Sequence, residues 1–586
     1  MYLNREPTYD KEPTIEIKGC EGNAWQGYSD ILQEIKRAIF LQNKEKAVIV
    51  IETYPAVRKE EIIGAFEELN PALVVDADRV TFDEDKIFPM IEKTLTDDPV
   101  LGIMSHFTID DFIDSVCLQK AKEEIQSILS GVVIVYGFGA SKIVSGDLLI
   151  YADITRWEIQ FRYRSGEVGN WKANNSQEDL LRKYKRGFFF EWRVADRIKK
   201  QLFERMDYLL DTNAKDHPKM ISGTALLHGL EEVVKRPFRL VPYFDPGVWG
   251  GQWMKEVFGL DKREKNYAWS FDGVPEENSL YLKYGDVRVE VPSINVVFYQ
   301  PIPLLGDKVH ARFGTEFPIR FDFLDTMGGG NLSLQVHPLV EYIQDKFGMN
   351  YTQDESYYML DTANETYVYL GLKEGVNKEE MLADLRGAQG GEEIFPAEKY
   401  VNKLPAKKHD HFLIPAGTIH CSATDSMVLE ISATPYIFTF KLWDWGQVGL
   451  NGKPRPLHLE HGEQSIQWDR QTSWVEDNLV NHVELLEKGD GYRIEKTGLH
   501  KRQFIETHRH WFTKEVHHKT NDSVNVLNLV EGEEAIVESP TDAFEPFIVH
   551  YAETFIIPEG VKEYTIRPYG AGEGKELATI KAYVRC

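Results

Sequence analysis

The chain contains Leu332-Ser333-Leu334-Gln335-Val336-His337-Pro338, a segment in which apolar and polar residues alternate. Successive side chains of a strand point to opposite faces, so a period of two places Ser333, Gln335 and His337 on one face. The segment therefore predicts a strand with three polar side chains on the same side.

A second segment supplies complementary groups. Phe412-Leu413-Ile414-Pro415-Ala416-Gly417-Thr418-Ile419-His420 is an apolar run that turns at Pro-Ala-Gly and then presents a histidine. Glu355 lies between the two segments in sequence. Two imidazoles, a carboxylate and an amide oxygen suit a borderline divalent metal such as zinc. Because the strong ligands are too few to close the coordination shell, the set is typical of a catalytic site with room for water or substrate.

Composition limits the class of protein. The chain has 586 residues, a formal net charge of −26 and a pI near 5.2. This length predicts about three domains, and the charge argues against nucleic-acid partners. The sequence has no apolar run of membrane-spanning length and no apolar signal region at its N-terminus. Four scattered cysteines argue against a disulfide framework, and the sequence therefore predicts a protein of the reducing cytoplasm.

Further motifs occur in the same half of the chain. They are Val248-Trp249-Gly250-Gly251, Gly371-Leu372-Lys373-Glu374-Gly375-Val376, Trp443-Asp444-Trp445-Gly446 and Gly452-Lys453-Pro454-Arg455-Pro456-Leu457-His458. Together with the two segments above, they resemble the type I mannose-6-phosphate isomerases, a branch of the cupin proteins. The motifs follow the order and spacing of that family, and the resemblance runs from about residue 235 to the C-terminus.

The resemblance implies a function and a ligand set. The implied reaction is the interconversion of mannose 6-phosphate and fructose 6-phosphate through an enediolate, which a divalent cation such as zinc or a cationic side chain would stabilise. By the same resemblance, the metal ligands are Gln335, His337, Glu355 and His420, and Ser333 contacts the phosphate.

Two positions depart from the family pattern. Gln353 stands where the family usually has a lysine, and Lys441 stands where it has an arginine. Lysine keeps the positive charge but loses the bidentate fork of arginine. A lysine with a lowered pKa could instead transfer a proton. The sugar phosphate that is recognised therefore stays open.

Other basic residues are candidates for the remaining roles. Lys453 and Arg455 could supply positive charge for the phosphate, although Arg455 could equally form a loop-structuring ion pair. Lys441 and His458 are the candidates for the general base, and the sequence does not choose between them.

Residues 1–230 follow a different pattern. Apolar β-branched runs at 47–51, 72–75 and 131–136 alternate with helix-like stretches at 59–69 and 109–129. This alternation predicts a parallel α/β sheet, and its order resembles a P-loop kinase of the uridine-kinase type.

The phosphate loop of that family is missing. Glu52-Thr53-Tyr54-Pro55-Ala56-Val57-Arg58-Lys59-Glu60 has no glycine to wrap phosphates and no Ser or Thr after the lysine to hold magnesium. We therefore interpret this domain as a kinase-like scaffold for packing or dimerisation that has lost nucleotide chemistry. A live kinase domain is the alternative.

From residue 240 the pattern changes to short strands, including 287–291, 294–299, 317–323, 367–370, 428–431 and 436–442. Together with a helical insertion at 377–387, they predict all-β cupin barrels. The predicted domains are 1–230, the α/β domain; 231–489, the metal-binding cupin domain; and 490–586, a smaller second barrel. In this last barrel, His508, His510 and Glu563 could form a second metal site or serve only in packing.

The sequence thus predicts a cytoplasmic, metal-dependent sugar-phosphate isomerase with a small-molecule substrate, no nucleic-acid or membrane partner, and a possible homo-oligomeric state. Two alternatives remain. One is a non-catalytic sugar-binding or sensing protein that keeps the barrel and metal. The other is an isomerase of another sugar phosphate.

Overall fold

The structure is a computed structural model that describes residues 6–389, 393–433, 438–448, 455–498, 500–501 and 503–585. The chain forms two compact units. One consists of Thr14–Glu232 and Ser279–Tyr299, and the other of Met1–Pro13, Val233–Asn278 and Gln300–Cys586. The first unit therefore includes a segment, Ser279–Tyr299, that the sequence pattern assigns to the second predicted domain.

The first unit is an α/β structure built on a seven-stranded sheet. Across the sheet the strands are Ala24–Gln26, Lys219–Ser222, Tyr208–Asp211, Leu148–Asp153, Lys46–Thr53, Gly131–Gly137 and Leu73–Asp76. The last five of these are parallel to one another. Taken in chain order, these parallel strands lie side by side as 2-3-1-4-5. The three runs predicted as strands each coincide with an observed strand to within two residues.

Helices cover this sheet. They are Gly27–Gln42, Lys59–Phe66, Glu84–Leu95, Ser115–Ser127, Arg156–Arg164, Leu180–Arg186, Trp192–Leu202, Gly223–Val233 and Ile294–Tyr299, with short 3-10 turns at Glu67–Leu69, Ala77–Val80, Ile109–Phe112 and Ala140–Lys142 and a π-helical turn at Gly187–Glu191. A small sheet in the same unit joins Thr14–Glu16 to Ser279–Tyr284 and Val287–Pro292.

Ile294–Tyr299 is a helix, so the strand predicted for residues 294–299 is wrong. A six-residue apolar run is compatible with either a buried strand or a buried helical segment, because its period cannot be read over so short a length.

In the segment after strand Lys46–Thr53, where the sequence resemblance would place a phosphate loop, the polar groups bind other protein groups. Lys59 Nζ lies 2.9 Å from Asp76 Oδ2 and also contacts Asp78. Arg162 Nη1 donates a 2.7 Å hydrogen bond to the Ala56 carbonyl. Glu52, which is buried, accepts hydrogen bonds from the backbone of Gly139 and Ser141. The lysine and the turn backbone are thus engaged by protein groups.

The second unit contains two pairs of sheets. The first pair has a six-stranded sheet, in the order His411–Ile414, Glu355–Thr362, Ser426–Ser432, Arg320–Asp325, Trp269–Gly273 and Tyr243–Asp245. Its five-stranded partner has the order Val401–Ala406, Thr366–Leu372, His420–Ser422, Leu334–Val336 and Phe440–Trp443.

Short helices decorate this barrel: Trp253–Val257, Pro301–Leu305, Asp307–Phe313, Val340–Phe347, Lys378–Gln389, Ala397–Tyr400, Leu459–Ser465 and Thr472–Leu479. Lys378–Gln389 is the helical insertion that the sequence predicts at 377–387. Of the strand predicted for residues 436–442, positions 436 and 437 lie outside the described residues, and the rest overlaps strand Phe440–Trp443.

The second pair of sheets forms the C-terminal barrel. One sheet has the order Glu484–Gly489, Tyr492–Gly498, Ile505–Phe512, Leu577–Val584, Asn525–Glu531 and Thr554–Ile557, and the other has the order Val516–Lys519, Glu563–Pro568, Glu534–Glu538 and Phe547–His550, with 3-10 turns at Glu559–Val561 and Gly570–Gly572. A buried apolar core that includes Phe512, Leu527, Phe555 and Leu577 lies between these sheets. The barrel's first strand begins at Glu484, six residues before the predicted boundary at 490.

Three cysteines within the described part of the chain, Cys20, Cys117 and Cys421, carry free thiols. None of the helices in the described residues is both long enough and apolar enough to cross a membrane.

Candidate metal centre and active site

Strand pairing brings three of the predicted site residues into one row of the five-stranded sheet. Gln335 in Leu334–Val336 lies directly opposite His420 on one neighbouring strand and opposite Lys441 on the other. Directly opposed residues of an antiparallel pair place their side chains on the same face. The sheet therefore presents an amide, an imidazole and an ammonium group together.

The six-stranded sheet contributes carboxylates. Glu355 begins strand Glu355–Thr362, and Tyr357, two residues later, pairs with Glu430 of the neighbouring strand. Glu430 also pairs with Asp322 on its other side. Three acidic side chains thus share one buried sheet face.

The turn that carries His420 depends on glycine. Gly417 has a φ of +87°, and a Cβ at this position would lie 2.6 Å from Gln467 and 2.9 Å from Leu339. Its backbone N–H donates a 2.9 Å hydrogen bond to the His337 carbonyl. The Pro-Ala-Gly turn therefore ties the two sequence motifs together, and only glycine fits without strain.

Both histidines converge on one carboxylate. His337 Nε2 lies 3.0 Å from Glu355 Oε2, and His420 Nε2 lies 2.9 Å from Glu355 Oε1. All three side chains are completely buried. Within the described ranges, this is the one group of His, Cys, Asp or Glu side chains close enough to hold a metal ion.

The other nitrogen of each ring is engaged by the backbone. His337 Nδ1 donates to the Phe438 carbonyl at 2.9 Å, and His420 Nδ1 donates to the Thr418 carbonyl at the same distance. In a neutral imidazole held this way, Nε2 carries a lone pair that faces the carboxylate, which also offers only lone pairs. A cation between them resolves this arrangement, so the three residues fit a metal ion.

Burial and pairing act on the pKa values of this group in opposite directions. Burial raises the pKa of Glu355, but His337 and His420 outweigh it and hold that pKa well below its usual range. Burial lowers the pKa of His337, whereas Glu355 raises it by more. The carboxylate is therefore ionised and available as a ligand at neutral pH.

Two glutamine side chains adjoin the three residues. Gln335 Nε2 lies 3.2 Å from His420 Nε2, and a half-turn of its amide presents Oε1 to the same point. Gln353 Nε2 donates a 2.8 Å hydrogen bond to Glu355 Oε2 and a longer one, 3.4 Å, to Glu430 Oε1. The Phe438 backbone N–H donates to Gln353 Oε1 at 2.9 Å and thereby fixes the amide.

A cavity of about 230 Å³ opens beside this group. Its lining is Trp249, Trp269, Asp322, Leu324, Leu332, Ser333, Gln335, Gln353, Glu430, Thr439, Lys441 and Arg455. Of the predicted residues, Ser333, Gln335, Gln353, Lys441 and Arg455 thus surround one space, with His337, Glu355 and His420 beneath it.

Burial shifts the pKa values of the ionisable groups in this cavity toward neutrality. Burial and the neighbouring Arg455 lower the pKa of Lys441 to about 8. Burial, with Glu355 and Asp322 nearby, raises the pKa of Glu430 well above its usual range. Asp322 has a pKa of about 6, raised chiefly by burial and lowered in part by Arg320. The cavity therefore holds an amine, Lys441, and an acid, Asp322, whose pKa values lie near neutral pH.

At the other end of the cavity Ser333, Asp444 and Arg455 form a hydrogen-bonded cluster. Ser333 Oγ donates to Asp444 Oδ1 at 2.8 Å, and Arg455 Nη2 donates to Ser333 Oγ at 2.9 Å. Arg455 also forms an ion pair with Asp444. The two sequence interpretations of Arg455 are thus compatible, since it is held by an ion pair and still lines the cavity.

Two predicted residues are placed differently. His458 is buried, but it is not among the residues lining the cavity, and its backbone N–H donates to the Lys441 carbonyl at 2.8 Å. Lys453 lies outside the described residues.

Two site residues were not expected from the sequence, Glu430 and Asp322. Glu430 carried a signal, because it is the only charged residue of strand Ser426–Ser432. Asp322 carried a weaker one, because its strand also contains Arg320 and Asp325. Buried charge in an apolar strand points to function or to pairing.

The set considered for a second metal, His508, His510 and Glu563, does not come together. Glu563 is exposed and lies 3.2 Å from Lys519, on a strand of the opposite sheet from the two histidines.

Comparisons with known proteins divide the chain in the same way as its fold. Residues 27–235 match a family model described as a domain of unknown function, DUF8485. The C-terminal part matches curated proteins. The mannose-6-phosphate isomerase ManA of Bacillus subtilis is 20% identical over 356 residues, which are 60% of this chain and 97% of that protein.

A probable mannose-6-phosphate isomerase, GmuF of Bacillus subtilis, is 23% identical over 232 residues, 39% of this chain and 68% of that protein. The curated relatives of this part are mannose-6-phosphate isomerases. The crystal structure of the Bacillus subtilis mannose 6-phosphate isomerase is similar over 59% of this chain and 99% of its own, with 18% identity and a TM-score of 0.48.

Proposed function

We propose that the chain is a metal-dependent aldose–ketose isomerase that interconverts mannose 6-phosphate and fructose 6-phosphate. The observation that carries this proposal is the convergence of two imidazole Nε2 atoms on the buried Glu355 carboxylate, directly beside a cavity lined by the Lys441 amine and the Glu430 carboxyl group. The mannose-6-phosphate isomerase relatives support it.

The metal would be held by His337, Glu355 and His420, with Gln335 as a fourth ligand through its amide oxygen. Zinc or another borderline divalent ion suits this set of nitrogen and oxygen donors. When bound, such an ion supplies Lewis-acid stabilisation of negative charge that develops on substrate oxygen.

We assign proton transfer to Lys441 and Glu430, which lie on facing sheets and line the same cavity. With a pKa near 8, a fraction of Lys441 is neutral at physiological pH and can accept the proton on the carbon next to the carbonyl. Burial and the neighbouring Glu355 and Asp322 carboxylates raise the pKa of Glu430, so its protonated form can donate to a substrate oxygen. Lys441 then returns its proton to the adjacent carbon, while Glu430 takes up the proton of the neighbouring hydroxyl as that oxygen becomes the new carbonyl, which restores both residues.

We assign the phosphate to the end of the cavity where Ser333 and Arg455 lie. The Asp444 ion pair orients the guanidinium, and the Ser333 hydroxyl offers a second donor. The fixed fork of arginine suits a phosphoryl group.

For residues 1–230 we propose a scaffold role without nucleotide chemistry. The internal ion pairs of Lys59 and the hydrogen bond of Arg162 to the turn support this reading. We also propose a cytoplasmic location, which the free thiols of the described cysteines support.

The decisive experiment measures isomerisation of mannose 6-phosphate by zinc-loaded protein, with fructose 6-phosphate detected by a coupled assay. Turnover that disappears in His420→Ala supports the proposal. The matched control is His517→Ala, which removes an exposed histidine of the C-terminal barrel and should leave turnover unchanged. Metal-replete protein that binds the sugar phosphate without turnover would instead favour the sugar-sensing alternative, and turnover of a different sugar phosphate would correct the substrate.

A further inference from the structure

The interior of the C-terminal barrel is polar at one end. His508 and His510 lie on the same face of strand Ile505–Phe512 as Phe512, which belongs to the apolar core. Lys581 lies on the same face of strand Leu577–Val584 as the core residue Leu577, and it pairs directly with His508. Basic and imidazole groups thus continue the row of side chains that fills the space between the sheets.

Two histidines meet across this space without hydrogen bonds. The rings of His510 and His518, which come from the two opposite sheets, have centroids 4.5 Å apart. They are 2% and 4% exposed, and His510 Nδ1 and His518 Nε2 are buried without a hydrogen-bond partner. Burial, followed by neighbouring positive groups that include Lys581, lowers the pKa of both rings well below the usual range. They are therefore neutral, and each has one N–H to donate.

Lys581 is a buried amine without a counter-ion. It is 4% exposed, and no carboxylate offsets the effect of burial on its pKa. Its Nζ lies 5.5 Å from the centroid of the Tyr583 ring. Burial alone lowers its pKa to about 8. A buried charge without a partner is costly, and proteins retain one chiefly where something binds it.

The Glu506 carboxylate, on the same strand face as His508 and His510, is already engaged. Glu506 Oε1 lies 2.7 Å from His508 Nε2 and accepts a 2.9 Å hydrogen bond from Tyr583. Its other oxygen lies 3.2 Å from Lys496 Nζ. Glu506 therefore does not neutralise Lys581.

We propose that this end of the C-terminal barrel binds a small oxyanion, a phosphoryl or carboxylate group, through the Lys581 ammonium and the N–H groups of His510 and His518. An anion satisfies all three side chains at once: the amine gains an opposite charge, and the neutral imidazoles gain an acceptor. A divalent cation fits less well, because Lys581 lies among the candidate ligands and their donor atoms do not converge as those of the first barrel do.

The test measures binding of inorganic phosphate and, separately, of acetate by isothermal titration calorimetry and by the change in Tm. All proteins carry Arg455→Ala, so that the candidate phosphate group of the first barrel does not contribute. We expect one saturable site in this parent protein. We expect Lys581→Met to weaken binding about tenfold or more, since it removes the ammonium group that pairs with the anion.

The Tm separates this role from a structural one. A ligand that binds the native state raises Tm, so phosphate should raise the Tm of the parent and not that of Lys581→Met. In the absence of anion, Lys581→Met should melt at the same temperature or higher, because it removes an unpaired buried charge. His518→Gln gives an independent test and should also lose the response to the anion.

Lys496→Met is the matched control, since this lysine at the same end of the barrel already pairs with Glu506, and it should change the affinity less than twofold. A stronger response to phosphate than to acetate identifies a phosphoryl group, and the reverse identifies a carboxylate. The proposal is wrong if neither anion binds the parent, if Lys581→Met binds them unchanged, or if His420→Ala protein binds one zinc ion that is lost in His510→Gln.

Discussion

Gln353 donates one hydrogen bond to Glu355 and, with the same nitrogen, a longer one to Glu430. It thereby connects the carboxylate of the candidate metal centre with the acid of the cavity, at a position where the family pattern has a lysine. A neutral amide in this place leaves the two carboxyl groups free to hold different protonation states, since it orients both without adding charge.

Replacing Gln353 by leucine should weaken metal binding. The change removes the donor that orients Glu355, and loss of such an outer partner costs about 10–100-fold in metal affinity. Zinc affinity measured by competition with a chelator checks this, and Gln344→Leu, which removes an exposed amide that donates to the Asn350 carbonyl, is the control. An unchanged zinc affinity in Gln353→Leu would contradict the assigned role.

The activity should depend on pH through Lys441. The base form of the lysine is active, so kcat/KM should rise as pH increases toward the Lys441 pKa of about 8. A bound cation would lower this pKa and shift the rise to lower pH. Because Glu430 can donate only while it is protonated, kcat/KM should fall at pH values above the pKa of Glu430, which burial raises. The measurement is the pH profile of kcat/KM for mannose 6-phosphate in the zinc-loaded protein.

Lys441→Arg tests by mutation whether Lys441 is the general base. Arginine keeps the charge but stays protonated, so the loss in kcat should reach about 10²–10⁴-fold, the typical contribution of a general base. A variant that retained most of the wild-type kcat would show that Lys441 acts only as a charge.

Arg455→Lys should raise KM more than it lowers kcat. Lysine cannot form the fork that contacts Asp444 and Ser333 together, so phosphate binding should weaken about tenfold. Steady-state kinetics with mannose 6-phosphate provide the values, beside Arg386→Lys, which alters an exposed arginine paired with Glu463. A fall in kcat at constant KM would place Arg455 in the chemistry instead.

The α/β unit should not bind ATP. Lys59 is held by Asp76 and Asp78, and the backbone N–H groups of Tyr54, Val57 and Lys59 already donate to backbone carbonyls, so they are not available to the phosphates. Calorimetric titration with magnesium ATP should give no saturable binding at millimolar concentrations. Saturable binding that Lys59→Ala abolishes would show that the live-kinase alternative was right.

The sequence predicts the part of the site that rests on local pattern. Alternation predicted a strand around Gln335, which is observed as the shorter Leu334–Val336 with Ser333 and His337 flanking it, and the Pro-Ala-Gly turn placed His420. Both predictions depend on residues adjacent in the chain. The approach of Glu355 to two histidines came from the family resemblance, since no local rule states which distant strands pair.

The remaining features depend on tertiary structure. Glu430 lies in the site because it pairs with Tyr357 on one neighbouring strand and with Asp322 on the other. The residues around Glu430 in the sequence do not predict this pairing of distant strands. The sequence makes His458 a candidate base, but His458 is not among the residues that line the cavity. Its backbone N–H donates to the Lys441 carbonyl. Residues 294–299 form a helix, and the strand prediction is wrong there because so short an apolar run has no readable period.

The strands Ser279–Tyr284 and Val287–Pro292 complete a sheet that begins at Thr14–Glu16, although Val233–Asn278, which belongs to the other unit, intervenes in the chain. During synthesis from the N-terminus, the α/β unit therefore cannot finish folding until the ribosome has already made the first strands of the barrel. Folding of the two units therefore overlaps in time. A gene cut at residue 230 would yield a barrel fragment that carries the hairpin Ser279–Tyr284 and Val287–Pro292 without Thr14–Glu16, the strand that pairs in parallel with Ser279–Tyr284.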